Sequence, residues 1–248
     1  MSERLIQWPE AQYWDRPYNP IVGCHPISPA CDNCYAREAM VNRFGQSFVP
    51  HRTKKKAIPK RGVVFVGNMC DMFGEWRDIA DVENDIAEVA VASGDAKYLW
   101  CTKRVDVMKK ALNAIDNILD NPKRWFERQW FGFTAENQEW FNKRVAFASE
   151  IPFHFNQWLS AEPLLGPIDM GDMVGMFKWV AVGCESGPNR RPCEMEWVEE
   201  IVDQCRKANV PVFVKQLCID GECVRDINRF PKHLRIRQVP WGIDNGKD

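Results

Sequence analysis

The chain lacks any apolar run approaching the roughly 18 residues that a membrane-crossing helix needs, so a helical membrane protein is excluded. Its opening stretch, Met1 to Trp8, also lacks the apolar core of a secretory signal, and the expectation is a cytoplasmic protein that meets no membrane. Net charge is nearly absent as well: −1 over 248 residues argues neither for nor against a nucleic-acid partner. One absence is local. Between Glu38 and Asp71 there is no acidic residue, while Arg43, Arg52, Lys54, Lys55, Lys56, Lys60 and Arg61 supply positive charge. Phe44, Phe48 and His51 are interleaved with them, so the run could neutralise phosphates and stack on bases. A solvated linker kept soluble by its lysines is the plain alternative.

What the chain does have is cysteine, ten in all. In a reducing compartment these read as ligands and buried thiols rather than disulfides. Cys24, Cys31 and Cys34 form a C-x6-C-x2-C set in a loop bent by Gly23, Pro26 and Pro29. A C-x2-C pair in a turn aims two sulfurs at one centre, and the bends can return the third to it. Three thiolates suit a four-iron cluster with one iron free of protein ligand, whereas structural zinc takes four. The alternatives are a zinc knuckle completed by His25 or Cys70, and three reduced, unligated thiols. Cys101 and Cys205 fall in apolar segments and read as core. Cys184, Cys193, Cys218 and Cys223 could hold a second metal, although their gaps match no firm template.

The length suits one large α/β domain, 1–248, with an N-terminal arm and the cysteine loop 18–36. Trp8 and Trp14, with Pro9 and Pro17, suggest an arm packed across the barrel rather than a free tail. Apolar β-prone runs at 63–66, 97–101, 130–134, within 152–160, at 179–182 and 210–214, with 18–22 as a shorter one, alternate with helical patterns. The helices are expected at 35–44, 79–92 with Asp78 as cap, 105–119, 138–149 and 197–208. Such alternation predicts parallel strands covered on both faces, as a partial or complete (β/α) barrel or a doubly wound sheet. Polar residues then follow the strands with regularity: Asn68 and Asp71, Lys103 and Arg104, Glu136 and Asn137, Glu162, Glu185 and Ser186, Lys215 and Gln216. In a barrel these ends meet at one mouth. For each, a structural ion pair is the competing explanation.

The run Asn19-Pro20-x-x-Gly23-Cys24-x6-Cys31-x-x-Cys34-Tyr35-Ala36 resembles the signature of an uncharacterised phage and prophage family placed beside the radical S-adenosylmethionine (SAM) superfamily. Asn68 to Phe73, Thr102 to Arg104, Glu162 to Pro167, Gly183 to Pro188 and Lys215-Gln216 are similar to that family's later motifs, in the same order. Most radical SAM enzymes space their cysteines C-x3-C-x2-C, and the longer first gap here departs from that. The family's later Gly-Gly and Trp-Gly stand here as Gly183-Cys184 and Leu217-Cys218.

The resemblance implies the radical-SAM-like barrel, a [4Fe-4S] cluster on Cys24, Cys31 and Cys34, SAM chelated at the open iron, and an electron donor. It implies SAM contacts from Asn68, Glu136, Gly183, Glu185 and Ser186. Lys103, Glu162, Lys215 and Gln216 would face substrate, and Cys184 is a candidate hydrogen-atom donor. With the basic residues Arg52, Lys54, Lys55, Lys56, Lys60 and Arg61, the implied phage context points to DNA, RNA or a nucleotide as substrate. Two other classes compete: a cluster protein without SAM chemistry, serving redox or nucleic-acid binding, and a zinc-stabilised binding module.

Overall fold

A computed structural model describes residues 11–54, 57–92, 94–118 and 126–241. Its main sheet runs through β1 (Arg16–Tyr18), β4 (Val63–Val66), β5 (Lys97–Thr102), β6 (Gln129–Thr134), β7 (Asn156–Ala161), β8 (Trp179–Gly183), β9 (Val212–Ile219) and β10 (Glu222–Val224), neighbours in that order. Every pairing from β1 to β9 is parallel, and only β10 returns antiparallel. Spatial order follows chain order without reversal, which a doubly wound sheet would require. The fold is therefore a singly wound α/β sheet with β1 and β10 as its outer strands, and no pairing among the described residues closes it.

Curvature can be read from side chains. Phe65 on β4 meets Trp158 on β7 with ring centroids 6.5 Å apart, although three strand spacings would separate them by roughly 14 Å in a flat sheet. The sheet curls, and its concave face is filled by Leu99, Trp130, Trp158, Trp179 and Phe213. Tyr13 of the arm inserts among these rings, 4.9 Å from Trp179 and 5.4 Å from Phe213. Trp14 lies 6.1 Å from Phe65, while Trp8 falls outside the described residues.

Residues one position out of phase, Val64, Tyr98, Trp100, Phe131, Leu159, Val180 and Val214, join the other hydrophobic cluster beneath the helices. The helices are α1 (Tyr35–Glu38), which widens into a five-residue π turn at Ala39–Arg43, α2 (Ile79–Ala90), α3 (Val105–Ile118), α4 (Gln138–Ala148) and α5 (Met195–Lys207). The expected last residue of α3, Leu119, lies outside the described residues. Asp78 occupies the cap position of α2 with extended backbone but makes no side-chain cap bond. Asn137 is the working cap, accepting from the Trp140 N–H at 3.1 Å.

Two expectations are corrected in detail. The predicted strand 18–22 divides at Asn19-Pro20: Arg16–Tyr18 joins the main sheet, while β2 (Ile21–Val22) pairs antiparallel with β3 (His51–Arg52). Proline has no N–H for the ladder, and the chain leaves the sheet there. The last strand runs to Ile219, beyond the predicted 214, because it turns back at Asp220-Gly221 into β10. Both turn residues have positive φ, 50° and 76°, the pairing that a tight two-residue hairpin demands.

Candidate metal and cofactor site at the strand ends

The cysteine loop lies across the C-terminal ends of the parallel strands. Gly23 has φ +87°, and a Cβ there would sit 2.4 Å from the Val49 carbonyl oxygen. Glycine is what lets the chain pass so close to the 48–49 segment, where the Cys24 N–H donates to Phe48 O at 3.1 Å. Pro29–Cys31 forms one 3-10 turn, and Cys34 opens α1. All three thiols are free and half-buried, in contrast to the buried Cys70, Cys184, Cys193 and Cys205.

Side chains from four strand ends pin this loop. After β5, Arg104 donates to His25 O at 2.9 Å and to Asp71 Oδ2 at 3.1 Å, pairs with Glu75, and stands 4.0 Å from Cys24 Sγ. After β6, the fully buried Glu136 accepts from Arg144 at 2.6 Å and from the Ala30 N–H at 3.5 Å. After β8, Glu185 accepts from Asn33 Nδ2 at 2.9 Å and from the Arg191 N–H at 2.9 Å, and pairs with the Arg191 guanidinium. Arg191 also donates to Pro29 O at 2.9 Å. After β4, Asn68 accepts from the Tyr35 hydroxyl through its carbonyl and from Asn19 Nδ2 through its side chain at 2.8 Å. Burial works against the Glu185 carboxylate, but the hydrogen bonds from Arg191 and Asn33 outweigh it and hold its pKa below the usual range. Burial, then Asp71, pushes the Cys24 thiol up to about 11.

Below the loop, the inward residues of the last strands form a second network. Lys215 Nζ donates to Glu162 Oε2 at 2.6 Å, and the Tyr13 hydroxyl donates to Glu162 Oε1 at 3.1 Å. Burial raises the Tyr13 pKa well above its ordinary value, and the Glu162 charge adds to it. Lys103 extends from β5 toward the same region. Burial opposes its charge, but Cys31, Cys101 and Glu136 outweigh burial and raise its pKa.

The residues singled out in the sequence thus separate by task. Lys103, Glu162 and Lys215 continue the inward-facing positions of β5, β7 and β9. Asn68, Glu136 and Glu185 are engaged with the loop, and Ser186 is half-exposed beyond β8. Gly183 leaves room for Lys215 and Gln216, whose side chains would lie 3.3 Å from a Cβ placed there. Cys184 belongs to the helix-side cluster, with its thiol 3.9 Å from Cys223. Among the basic residues, Arg52 pairs with Asp85 of α2 at 3.2 Å. Lys54 is exposed after β3, and Lys60 and Arg61 are exposed before β4, at the N-terminal end of the strand and so at the opposite end from the cysteine loop. Lys55 and Lys56 lie outside the described residues. Tyr13, Asn33, Arg144 and Arg191 were not marked by any motif. A charged residue on a helix or in a polar loop reads as solvated until its partner is seen.

As the side chains stand, no three His, Cys, Asp or Glu residues among the described ones are gathered to hold a single metal ion. A four-iron cluster is wider than one ion and spreads its ligand sulfurs. Three free, partly exposed thiols in one loop, with a guanidinium beside Cys24, suit it in donor chemistry. The residues present fit the group on that ground.

Fold and loop together define a singly wound parallel α/β protein that carries a thiol-rich loop over its strand ends. The chain belongs to the family described as "Protein of unknown function (DUF5131)", whose model matches residues 6–233. No curated protein matches it. Among solved structures it is similar to spore photoproduct lyase complexed with dinucleoside spore photoproduct, with 12% identity and TM-score 0.41 over 65% of this chain and 53% of that one. A double variant of that lyase, with bound AdoMet and dinucleoside spore photoproduct, is 14% identical at TM-score 0.39 over 58% of this chain and 44% of that one. The chain spans about half the length of the structures it matches. At such TM-scores the likeness is too slight to carry chemistry across.

Proposed function

We propose that this protein is an iron–sulfur, radical SAM-like enzyme acting on a nucleic acid or nucleotide. The observation that carries the reading is the placement of Cys24, Cys31 and Cys34 as the half-exposed thiols of one clamped loop, over a bowl lined by Lys103, Glu162 and Lys215. Those three cysteines would hold a [4Fe-4S] cluster. When bound, such a cluster with one iron free of protein ligand supplies the electron for reductive cleavage of SAM.

The chain's own residues do the positioning. Arg104 and Arg191 hold the loop chiefly through the backbone carbonyls of His25 and Pro29, and of the three thiols Arg104 approaches only Cys24 Sγ, at 4.0 Å. Lys215, oriented by Glu162, presents an ammonium suited to a phosphate or other anionic group, and the Tyr13 hydroxyl holds Glu162 from the opposite side. The aromatic floor beneath excludes water from the base of the bowl. Gly183 and Ser186 border the region where SAM would lie. Exposed Lys54, with Lys55 and Lys56, is assigned to phosphate contact.

A second reading is a cluster protein that does not cleave SAM. It is favoured by one observation: Glu136 and Glu185 are both engaged by arginines and the loop, leaving fewer free polar groups for a cofactor. Anaerobic reconstitution followed by reduction in the presence of SAM separates the two. Formation of 5′-deoxyadenosine supports the enzyme; a reduced cluster that forms none supports the passive protein. For the substrate class, salt-dependent retention of DNA or RNA on filters is expected, weakened when Lys54, Lys55 and Lys56 are neutralised. Retention that ignores both salt and these lysines would remove the nucleic-acid part.

A further inference from the structure

Four of the remaining cysteines lie toward the β9–β10 edge of the sheet, outside the cysteine loop. The Asp220-Gly221 turn fixes the β9–β10 register so that Cys218 and Cys223 are direct cross-strand partners, with their Cβ atoms about 5 Å apart on one face. Cys184, at the end of β8, directs its thiol at Cys223, with the sulfurs 3.9 Å apart. Cys193 lies in the loop that Arg190 ties to the hairpin tip by donating to Gly221 O at 2.6 Å. Cys184 and Cys193 are both buried in the helix-side cluster, and Cys218 and Cys223 pack against it.

We propose that Cys184, Cys193, Cys218 and Cys223 form a second metal site, a tetrathiolate that takes one zinc ion and staples the β10 hairpin to β8. Four sulfurs about 2.3 Å from zinc stand about 3.8 Å apart at the corners of a tetrahedron, and the Cys184–Cys223 separation of 3.9 Å matches one edge. The other two thiols need a change of rotamer to join them: Cys193 points its sulfur at Glu194 O, 3.8 Å away, and no three side chains here already surround one point. Four thiolates around a divalent ion leave a double negative charge. Arg190, held at the hairpin tip through Gly221 O, and Arg225, directly after β10, bring positive charge beside the hairpin to offset it. Cys184 and Cys193 are buried while Cys218 and Cys223 are half-buried, so the ion has a dry inner side and a route in from solvent. The site also has a structural task. A three-residue β10 gains little from its own ladder, yet it covers the edge of β9, which would otherwise offer unpaired backbone groups.

The test uses the full chain with Cys24, Cys31 and Cys34 replaced by serine, so that only the edge site contributes. Metal analysis of this variant is expected to give about one zinc per chain. Cobalt(II) added after zinc is stripped should give the intense visible bands of a tetrahedral thiolate site. Adding Cys193→Ser or Cys218→Ser is expected to abolish the stoichiometric zinc, whereas Cys205→Ser, a buried thiol outside the group, leaves it in place. A variant that fails to fold is replaced by the cobalt titration of the parent. Absence of zinc together with absence of cobalt bands overturns the proposal, as does a Cys184–Cys223 disulfide found by mass spectrometry in protein purified under reducing conditions. Iron with sulfide at the edge group in place of zinc would overturn the metal assigned.

Discussion

The two groups of thiols are held in opposite ways. At the loop, the sulfurs stay half-exposed while everything around them is fixed: Arg104, Glu136, Glu185 and Asn68 reach from four strand ends to the loop or to the residues beside it. At the edge, the sulfurs of Cys184 and Cys223 are themselves in contact, and the two hairpin cysteines are positioned by backbone pairing and one turn. The first is a rigid frame around open ligands, which suits a reactive centre. The second is a set of ligands that closes on itself, which suits a staple.

The frame can be broken at its most buried point. Glu136→Gln leaves the Arg144 guanidinium buried without its counter-charge, and a loss of about 3 kcal/mol is expected from urea denaturation. Adding Arg144→Met should recover part of that loss, because the stranded charge is then removed as well. Gly23→Ala should cost about 2 kcal/mol through left-handed strain and the clash with Val49 O. It should also lower iron content, whereas zinc at the edge stays unchanged, a contrast that metal analysis of the same sample reads directly.

The smallest effect expected is at the floor of the bowl. Tyr13→Phe loses one hydrogen bond to Glu162, about 1 kcal/mol near neutral pH. The Tyr13 pKa is raised in the fold, so its contribution is fully present below the ordinary tyrosine pKa of about 10 and is lost as pH rises through the folded value. Wild type should therefore lose stability in alkali more steeply than Tyr13→Phe. Parallel alkaline limbs for the two proteins would place Tyr13 outside the buried network.

Much of this was legible in the chain. Apolar runs such as 63–66 and 179–182, each leading within a few residues to a polar side chain, read as buried parallel strands, and the cysteine spacing marks the loop. The aromatic floor was not legible, because Trp130, Trp158 and Trp179, one in each of three strands, read only as core until the sheet is seen to curl. Nor were the clamps: Arg144 interrupts the apolar stripe of its helix and Arg191 sits in a polar loop, and each gains meaning only when the fold turns it back onto Glu136 or Glu185 at the preceding strand end. The hairpin was different. Asp220-Gly221 is a strong local turn signal, and reading it would have placed Cys218 opposite Cys223 without coordinates.

Iron and sulfide per chain in protein purified without oxygen test the central claim most directly. About four of each are expected in the wild type, with both lost in Cys31→Ala while the far-ultraviolet circular dichroism stays unchanged. Wild-type protein free of iron, or iron that persists undiminished in Cys31→Ala, would contradict the assignment of Cys24, Cys31 and Cys34 to a cluster.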